Sequence, residues 1–222
     1  MREITGKTRF FRYLDLFIPI EMIIPSLQQP RIASVGCSTG EEAYSFVLWN
    51  WMHNLSVDGY DVDKRRISVA KAGRYTIYER SDKQFFLPEN VKRNSYHLTP
   101  ENVPSWYSVT FNDEAKSRLN FSVLDIINAP LPKTYEAIVL SNVLQHMDIE
   151  EKESTLEHIS ASLEGNGWLI CEPCNKSASD SPYLQERVRQ YNEWRGNLEQ
   201  YGFKRERPRR PASKRAMIYR KR

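Results

Sequence analysis

The chain has 222 residues, 40% hydrophobic and 27% charged, which are the proportions of a globular protein and exclude a disordered or fibrous one. Its longest apolar stretch, Phe17 to Pro25, carries Glu21 and two prolines, so no membrane span is expected. The net charge of +4 hides an asymmetry, because Phe203 to Arg222 holds ten Lys or Arg against the single acid Glu206, a local +9 on a body of −5. Such a basic end is either a solvated surface or a place where an acidic partner is steered. Three cysteines give no disulfide framework, and the first residues lack the basic-then-apolar pattern of a signal peptide, so a cytoplasmic location is expected.

In chain order, residues 1–30 read as a lead-in segment without strand character. Thr8 to Leu14 is a short helix or turn carrying Phe10 and Phe11, whose burial would hold the neighbouring Arg12 in place. Prolines 19, 25 and 30 punctuate the approach to the first strand, Ile32 to Val35. Gly36 and Gly40 then bracket Cys37, Ser38 and Thr39, and an amphipathic helix runs from Glu41 to about Leu55. Strand, glycine turn and helix bring backbone close to a nucleotide-like ligand, and a side chain at either glycine would block the ligand or forbid the turn. Acids at a helix start are first a stabilising arrangement. Glu41 and Glu42 also repel phosphate, so a cationic ligand fits better. S-adenosylmethionine (SAM), with its sulfonium and amino group, is one.

Val57 to Asp63 reads as a second strand, and Asp61 lies where dinucleotide-binding logic places an acid on ribose hydroxyls. A helix follows from Lys64 to Arg74 and closes at Gly73. Residues 79–118 are broken by prolines 88, 100 and 104 and read as a hairpin or small packed insertion. Strands resume at Asn120 to Asp125, Ala137 to Leu140 and Trp168 to Cys171, with a helix from Glu150 to Leu163 ended by Gly165 and Gly167. A polar helix from Tyr183 to Tyr201 precedes two last strands, around Phe203 and around Ala216 to Tyr219. Alternating strands and helices imply an α/β, Rossmann-like, mainly parallel seven-stranded sheet, residues 31–222, with the small insertion at about 79–118. Asp61, Asp125 and Ser141-Asn142 fall at the carboxyl ends of strands, the edge where such sheets bind ligands.

These residues carry a resemblance. The chain resembles the CheR-type chemotaxis receptor methyltransferases, class I SAM-dependent enzymes that methylate protein glutamates. Thr8-x-x-x-Arg12 with Phe10-Phe11 is similar to their N-T-x-F-F-R motif. Ser38-Thr39-Gly40-Glu41-Glu42-x-Tyr44-Ser45 matches their S-T-G-E-E-P-Y-S signature, the most specific of the matches. Tyr60-Asp61-Val62-Asp63, then Ala70-x-x-Gly73-x-Tyr75, resembles their D-I-D and A-R-x-G-x-Y segments. Ser141-Asn142-Val143 stands where they have R-N-V, and Asp148 matches the acid that follows. The resemblance covers roughly Thr8 to Ile170. It implies cofactor contacts at Thr8, Arg12, Glu41 or Glu42, Asp61, Asp125, Ile126, Ser141 and Asn142, to which the reading of the turn adds Gly36 and Gly40. It further implies a protein carboxylate acceptor, such as a chemoreceptor.

The departures are Gly6 for asparagine, Asp125 for asparagine, Ser141 for arginine and His146 for a tyrosine near the transfer centre; Glu172-Pro173-Cys174-Asn175 replaces G-H-S-E. Asp125 and His146 are what small-molecule SAM methyltransferases carry, so two acceptor classes stay open. A carboxylate needs no base, only a group such as Arg12 to orient it. A hydroxyl or amine benefits from a base, for which His146 is the candidate, against its reading as a histidine packed at a helix start. A non-catalytic SAM-binding module is a further alternative. Nucleic acid ranks below these, because the basic end lacks interleaved aromatics. Cys171-x-x-Cys174 has no second pair and the four histidines no ligand spacing, so no metal is expected. Cys37 reads as a small residue tolerated in the turn.

Overall fold

The computed structural model describes residues 8–11, 14–24, 27, 29–78, 96–102, 104–171, 195–206 and 217–222. The chain forms two compact units, Met1–Val123 and Leu124–Arg222. Of the seven strands of the mainly parallel sheet, three belong to the first unit and four to the second.

The first unit opens with a turn at Phe10 and Phe11, both buried, and a helix α1 at Leu14–Ile23 where only proline-punctuated chain is expected. Strand β1 (Arg31–Val35) enters the glycine turn, followed by helix α2 (Glu41–Trp49). The helix packs through Ala43 to Leu48, and burying Phe46, Val47 and Leu48 contributes about 1.5–3 kcal/mol each. It stops at Trp49 rather than Leu55. Asn50 turns both its backbone N–H (3.0 Å) and its side-chain amide (3.1 Å) onto the carbonyl of Phe46, and a 3-10 turn, Trp51–His53, takes over. Arg118 then clamps this turn, its guanidinium donating to the Trp51 carbonyl at 2.8 Å and lying 4.0 Å from the indole centroid.

Strand β2 (Ser56–Asp61) pairs in parallel with β1, and helix α3 (Lys64–Ala72) follows. Asp63 caps α3 by accepting from the Arg65 and Arg66 N–H groups, and Gly73 ends it at φ 59°, as its position predicts. Strand β3 (Arg74–Tyr78) joins β4 (Tyr96–Pro100) and β5 (Trp106–Phe111) in a small antiparallel sheet, order β3-β5-β4, where the insertion is expected. A short helix α4 (Asp113–Lys116) leads into β6 (Leu119–Val123), parallel to β2. Phe121 of β6 stands directly across from Gly59 of β2, and a Cβ on Gly59 would lie 2.5 Å from that ring. The glycine therefore exists to admit the phenylalanine.

The second unit is built on β7 (Tyr135–Leu140) and β8 (Leu163–Cys171), parallel to each other, with helix α5 (Ile149–Ala161) between them in sequence. Asp148 begins α5 in a capping box with Glu151, so this acid has an architectural task. The helix is not ended by Gly165 and Gly167, which lie inside β8 at its register shift; Ser162 ends it, its hydroxyl donating to the His158 carbonyl at 2.7 Å. Strands β9 (Phe203–Glu206) and β10 (Met217–Lys221) complete the unit, β10 antiparallel to both β8 and β9. Of the expected polar helix, the described part, Arg195–Tyr201, is a 3-10 helix. Among the described residues no helix is long and apolar enough to cross a membrane.

Candidate functional site

The turn after β1 is held from behind by one carbonyl. The N–H groups of Gly36 (2.7 Å) and Cys37 (2.9 Å) both donate to Tyr60 of β2. Positive φ recurs through the turn, at Gly36 (71°), Ser38 (52°) and Gly40 (93°). Gly40 is required for two reasons: its φ, and the space a Cβ would need, which lies 2.8 Å from the Ala70 Cβ and 3.1 Å from the Phe121 ring. Its missing side chain lets α2 seat against α3 and β6, so packing, rather than ligand clearance, demands the glycine.

Asp61 is buried at the end of β2. One carboxylate oxygen accepts the Ser38 N–H at 2.8 Å and the other accepts the Asp63 N–H at 2.9 Å. A carboxylate offers about four lone-pair sites, so about two stay available to a vicinal diol. The Ser38 hydroxyl is buried without a hydrogen-bond partner among the described residues. Glu42 accepts from the fully buried Ser34 hydroxyl at 3.0 Å, and both Glu41 oxygens lie within 3.0 Å of the Thr39 hydroxyl. Three carboxylates and an unsatisfied hydroxyl around one turn fit a ligand that carries both a diol and a cation.

The rest of the Ser38-to-Ser45 signature is wiring. Tyr44 donates to the Ala70 carbonyl at 3.2 Å and stacks on Phe111 at 4.1 Å between centroids. Ser45 donates to the Glu41 carbonyl at 2.6 Å and accepts the Phe11 N–H at 2.9 Å, which fastens the Phe10-Phe11 turn to α2. Thr8 is half-buried just before that turn, and Arg12 lies outside the described residues.

In the second unit, Asp125 folds its own turn, accepting from the Ile127 N–H (3.0 Å) and the Asn128 amide (2.8 Å). Ile126 is buried, and its carbonyl is 2.8 Å from His158 Nδ1. The Ser162 hydroxyl accepts the Leu131 N–H at 2.9 Å, so α5 grips both ends of the Asp125-to-Leu131 stretch. His158 and Ser162 are residues that sequence reading passes over, as it does Ser34. Ser141 and Asn142 follow β7, Asn142 at φ 56°. The Gln145 side-chain amide sits 3.2 Å from His146 Nε2. Nε2 thus already has a hydrogen-bond partner in the neighbouring side chain.

Cys37 and Cys171 are buried free thiols. Burial first, then the charges of Asp61 and Glu42, raise the Cys37 thiol well above its ordinary value; burial alone pushes Cys171 up to about 12. Neither is a nucleophile at neutral pH. In a Cys174→Ser background, both should resist a maleimide at pH 8 in the folded protein and react once urea unfolds it. Stoichiometric labelling of the native protein would contradict this.

Residues 6–173 match the family described as CheR methyltransferase, SAM binding domain. The chain is similar to the chemotaxis protein methyltransferase of Campylobacter jejuni strain 81-176, 24% identical over 176 residues, covering 74% of this chain and 62% of that protein. It is also similar to the probable biofilm formation methyltransferase WspC of Pseudomonas aeruginosa, 25% identical over 189 residues, covering 78% of this chain and 42% of that protein. The chain thus spans less than two thirds of the length of either relative. Among solved structures, a TehB-like SAM-dependent methyltransferase from Corynebacterium glutamicum superposes with a TM-score of 0.53 at 14% identity, covering 95% of this chain and 89% of that one. The pyocyanin biosynthetic protein PhzM superposes with a TM-score of 0.56 at 15% identity, covering 93% and 54%. These likenesses show the Rossmann-like fold of class I SAM methyltransferases. With more than half of its residues matched by the family model, the chain belongs to the CheR methyltransferase SAM-binding-domain family, and S-adenosylmethionine is its cofactor.

Proposed function

We propose that this chain transfers a methyl group to a carboxylate on a protein, with an acceptor of the chemoreceptor kind, and that it works in the cytosol. The cofactor, when bound, supplies an electrophilic methyl group on a sulfonium. Asp61 would hold the ribose hydroxyls with its two remaining lone-pair directions, while Glu41 and Glu42 face the cationic part. Thr8, Arg12, Gly36, Gly40, Asp125, Ile126, Ser141 and Asn142 are the further residues we assign to cofactor contacts. Arg12 would orient the acceptor oxygen, a task suited to a planar guanidinium. Carboxylate as the acceptor class is supported by the Ser38-to-Ser45 signature within the family match over residues 6–173, and a glutamate, ionised at neutral pH, needs no base, while His146 Nε2 is already hydrogen-bonded to Gln145. The buried reduced thiols of Cys37 and Cys171 support the cytosolic location.

The test is an acceptor screen with methyl-labelled SAM, using receptor peptides and small-molecule pools in parallel. A carboxyl methyl ester is recognised by alkali-labile release of labelled methanol. The rate should be nearly flat from about pH 6 to 8, because an acid of pKa about 4.3 is ionised throughout. His146→Gln should leave that profile unchanged. An acidic limb near pH 6.5 that disappears in His146→Gln, with a loss of about 10²–10⁴-fold, would replace the carboxylate with a hydroxyl or amine acceptor. Stoichiometric SAM binding without any labelled product would favour a binding module.

A further inference from the structure

Tyr75 belongs to β3 of the small antiparallel sheet, yet its hydroxyl ends on the cofactor turn. Its ring is 9% exposed and packs edge-on against Phe10 at 5.0 Å, Tyr44 at 5.9 Å and Phe111 at 6.0 Å between centroids. All of that packing would be served equally by phenylalanine. The hydroxyl adds one interaction, donation to the Thr39 carbonyl at 2.7 Å. Thr39 in turn donates its own hydroxyl to Glu41, at 2.7 Å from one carboxylate oxygen and 3.0 Å from the other. It sits between two residues of positive φ, Ser38 at 52° and Gly40 at 93°, where the chain has few conformations to choose from and one fixed carbonyl sets the whole turn. Burial, and next the nearby Glu41 charge, raise the Tyr75 pKa, so the phenol keeps its proton and stays a donor throughout the neutral range.

We propose that Tyr75 is a positioning residue for the cofactor: through Thr39 it sets the Glu41 carboxylate against the ammonium of the cofactor's aminobutyrate chain. This rests on the reading of Glu41 as the acid that faces the cation. The small sheet then does more than sit beside the binding fold; one of its strands supplies the strut that shapes the turn.

Titration calorimetry of Tyr75→Phe with two thioether probes tests it. S-adenosylhomocysteine carries the aminobutyrate chain, and 5′-deoxy-5′-methylthioadenosine keeps the adenosine and sulfur without it. Tyr75→Phe should weaken S-adenosylhomocysteine about five- to tenfold, the scale of one oriented hydrogen bond, and the truncated probe less than about twofold. Glu41→Gln should show the same selectivity, and the double variant should lose less than the product of the two single losses, because both act on one contact. Equal weakening of both probes by Tyr75→Phe would overturn the proposal in favour of a general packing role. Unchanged S-adenosylhomocysteine affinity in Tyr75→Phe, with Glu41→Gln still selective, would overturn it while sparing the reading of Glu41. A silent Glu41→Gln would remove that reading and the proposal together. Thermal melts of each variant verify that the protein titrated is folded.

Discussion

Asp61→Ala is expected to cost cofactor affinity and fold stability together, and the two losses have separate sources. The charge-assisted hydrogen bonds to the ribose hydroxyls would be lost, a loss of about 1–3 kcal/mol in binding. In the free protein, the Ser38 and Asp63 N–H groups now bonded to the carboxylate at 2.8 and 2.9 Å would lose their acceptor. Each buried orphan donor costs about 1–3 kcal/mol. The Asp63 N–H is only partly buried and can turn to water, so the Ser38 N–H dominates the stability loss. Asp61→Asn separates the effects, since its carbonyl oxygen can keep one backbone N–H while the charge is gone. Calorimetry should then show most of the binding loss in Asp61→Asn, and urea denaturation should show less of the stability loss. SAM affinity unchanged in Asp61→Ala would remove Asp61 from the site.

Gly40→Ala is expected to destabilise the first unit strongly. Two costs add at one atom. The residue would have to hold φ at 93°, outside the comfortable range of any side-chain-bearing residue, and its methyl would arrive 2.8 Å from the Ala70 Cβ. The Ala70 methyl is fixed on α3 and cannot swing away, and the Phe121 ring at 3.1 Å is itself packed on Tyr44. Strain of about 1–3 kcal/mol and overpacking of about 1–3 kcal/mol together give roughly 2–6 kcal/mol. Gly165→Ala is the control, because a Cβ there meets nothing within 4 Å; its stability should change by less than about 0.5 kcal/mol. A melting temperature for Gly40→Ala equal to that of the wild type would mean that α2 can be displaced without cost.

Chemistry that is written in consecutive residues was legible before any fold was known. The apolar run Ile32 to Val35, the bracketing glycines and the acids at Glu41 and Glu42 identify a strand, a turn and a helix start from neighbours alone. Gly73 after α3 likewise announces its cap, because a left-handed helix end is a matter of one residue and the next turn of backbone, whereas Asp63, read as the end of a strand, is the N-cap of α3. Element ends decided by tertiary contacts were not legible. Helix α2 gives way after Trp49 to a 3-10 turn that Arg118 holds from 67 residues away, and α5 stops at Ser162 rather than at a glycine because that hydroxyl also serves Leu131, 31 residues away. The site divides in the same way. Asp61 could be picked out by its spacing and strand-end position, but not the fact that it braces Ser38, 23 residues back. Tyr75 reaches Thr39 across 36 residues, and His158 reaches Ile126 across 32. No periodicity records such pairs. Each exists because strands and helices whose order is set by the sheet bring a hydroxyl or an imidazole within 3 Å of a carbonyl that is remote in the chain, and only the packed fold creates that proximity.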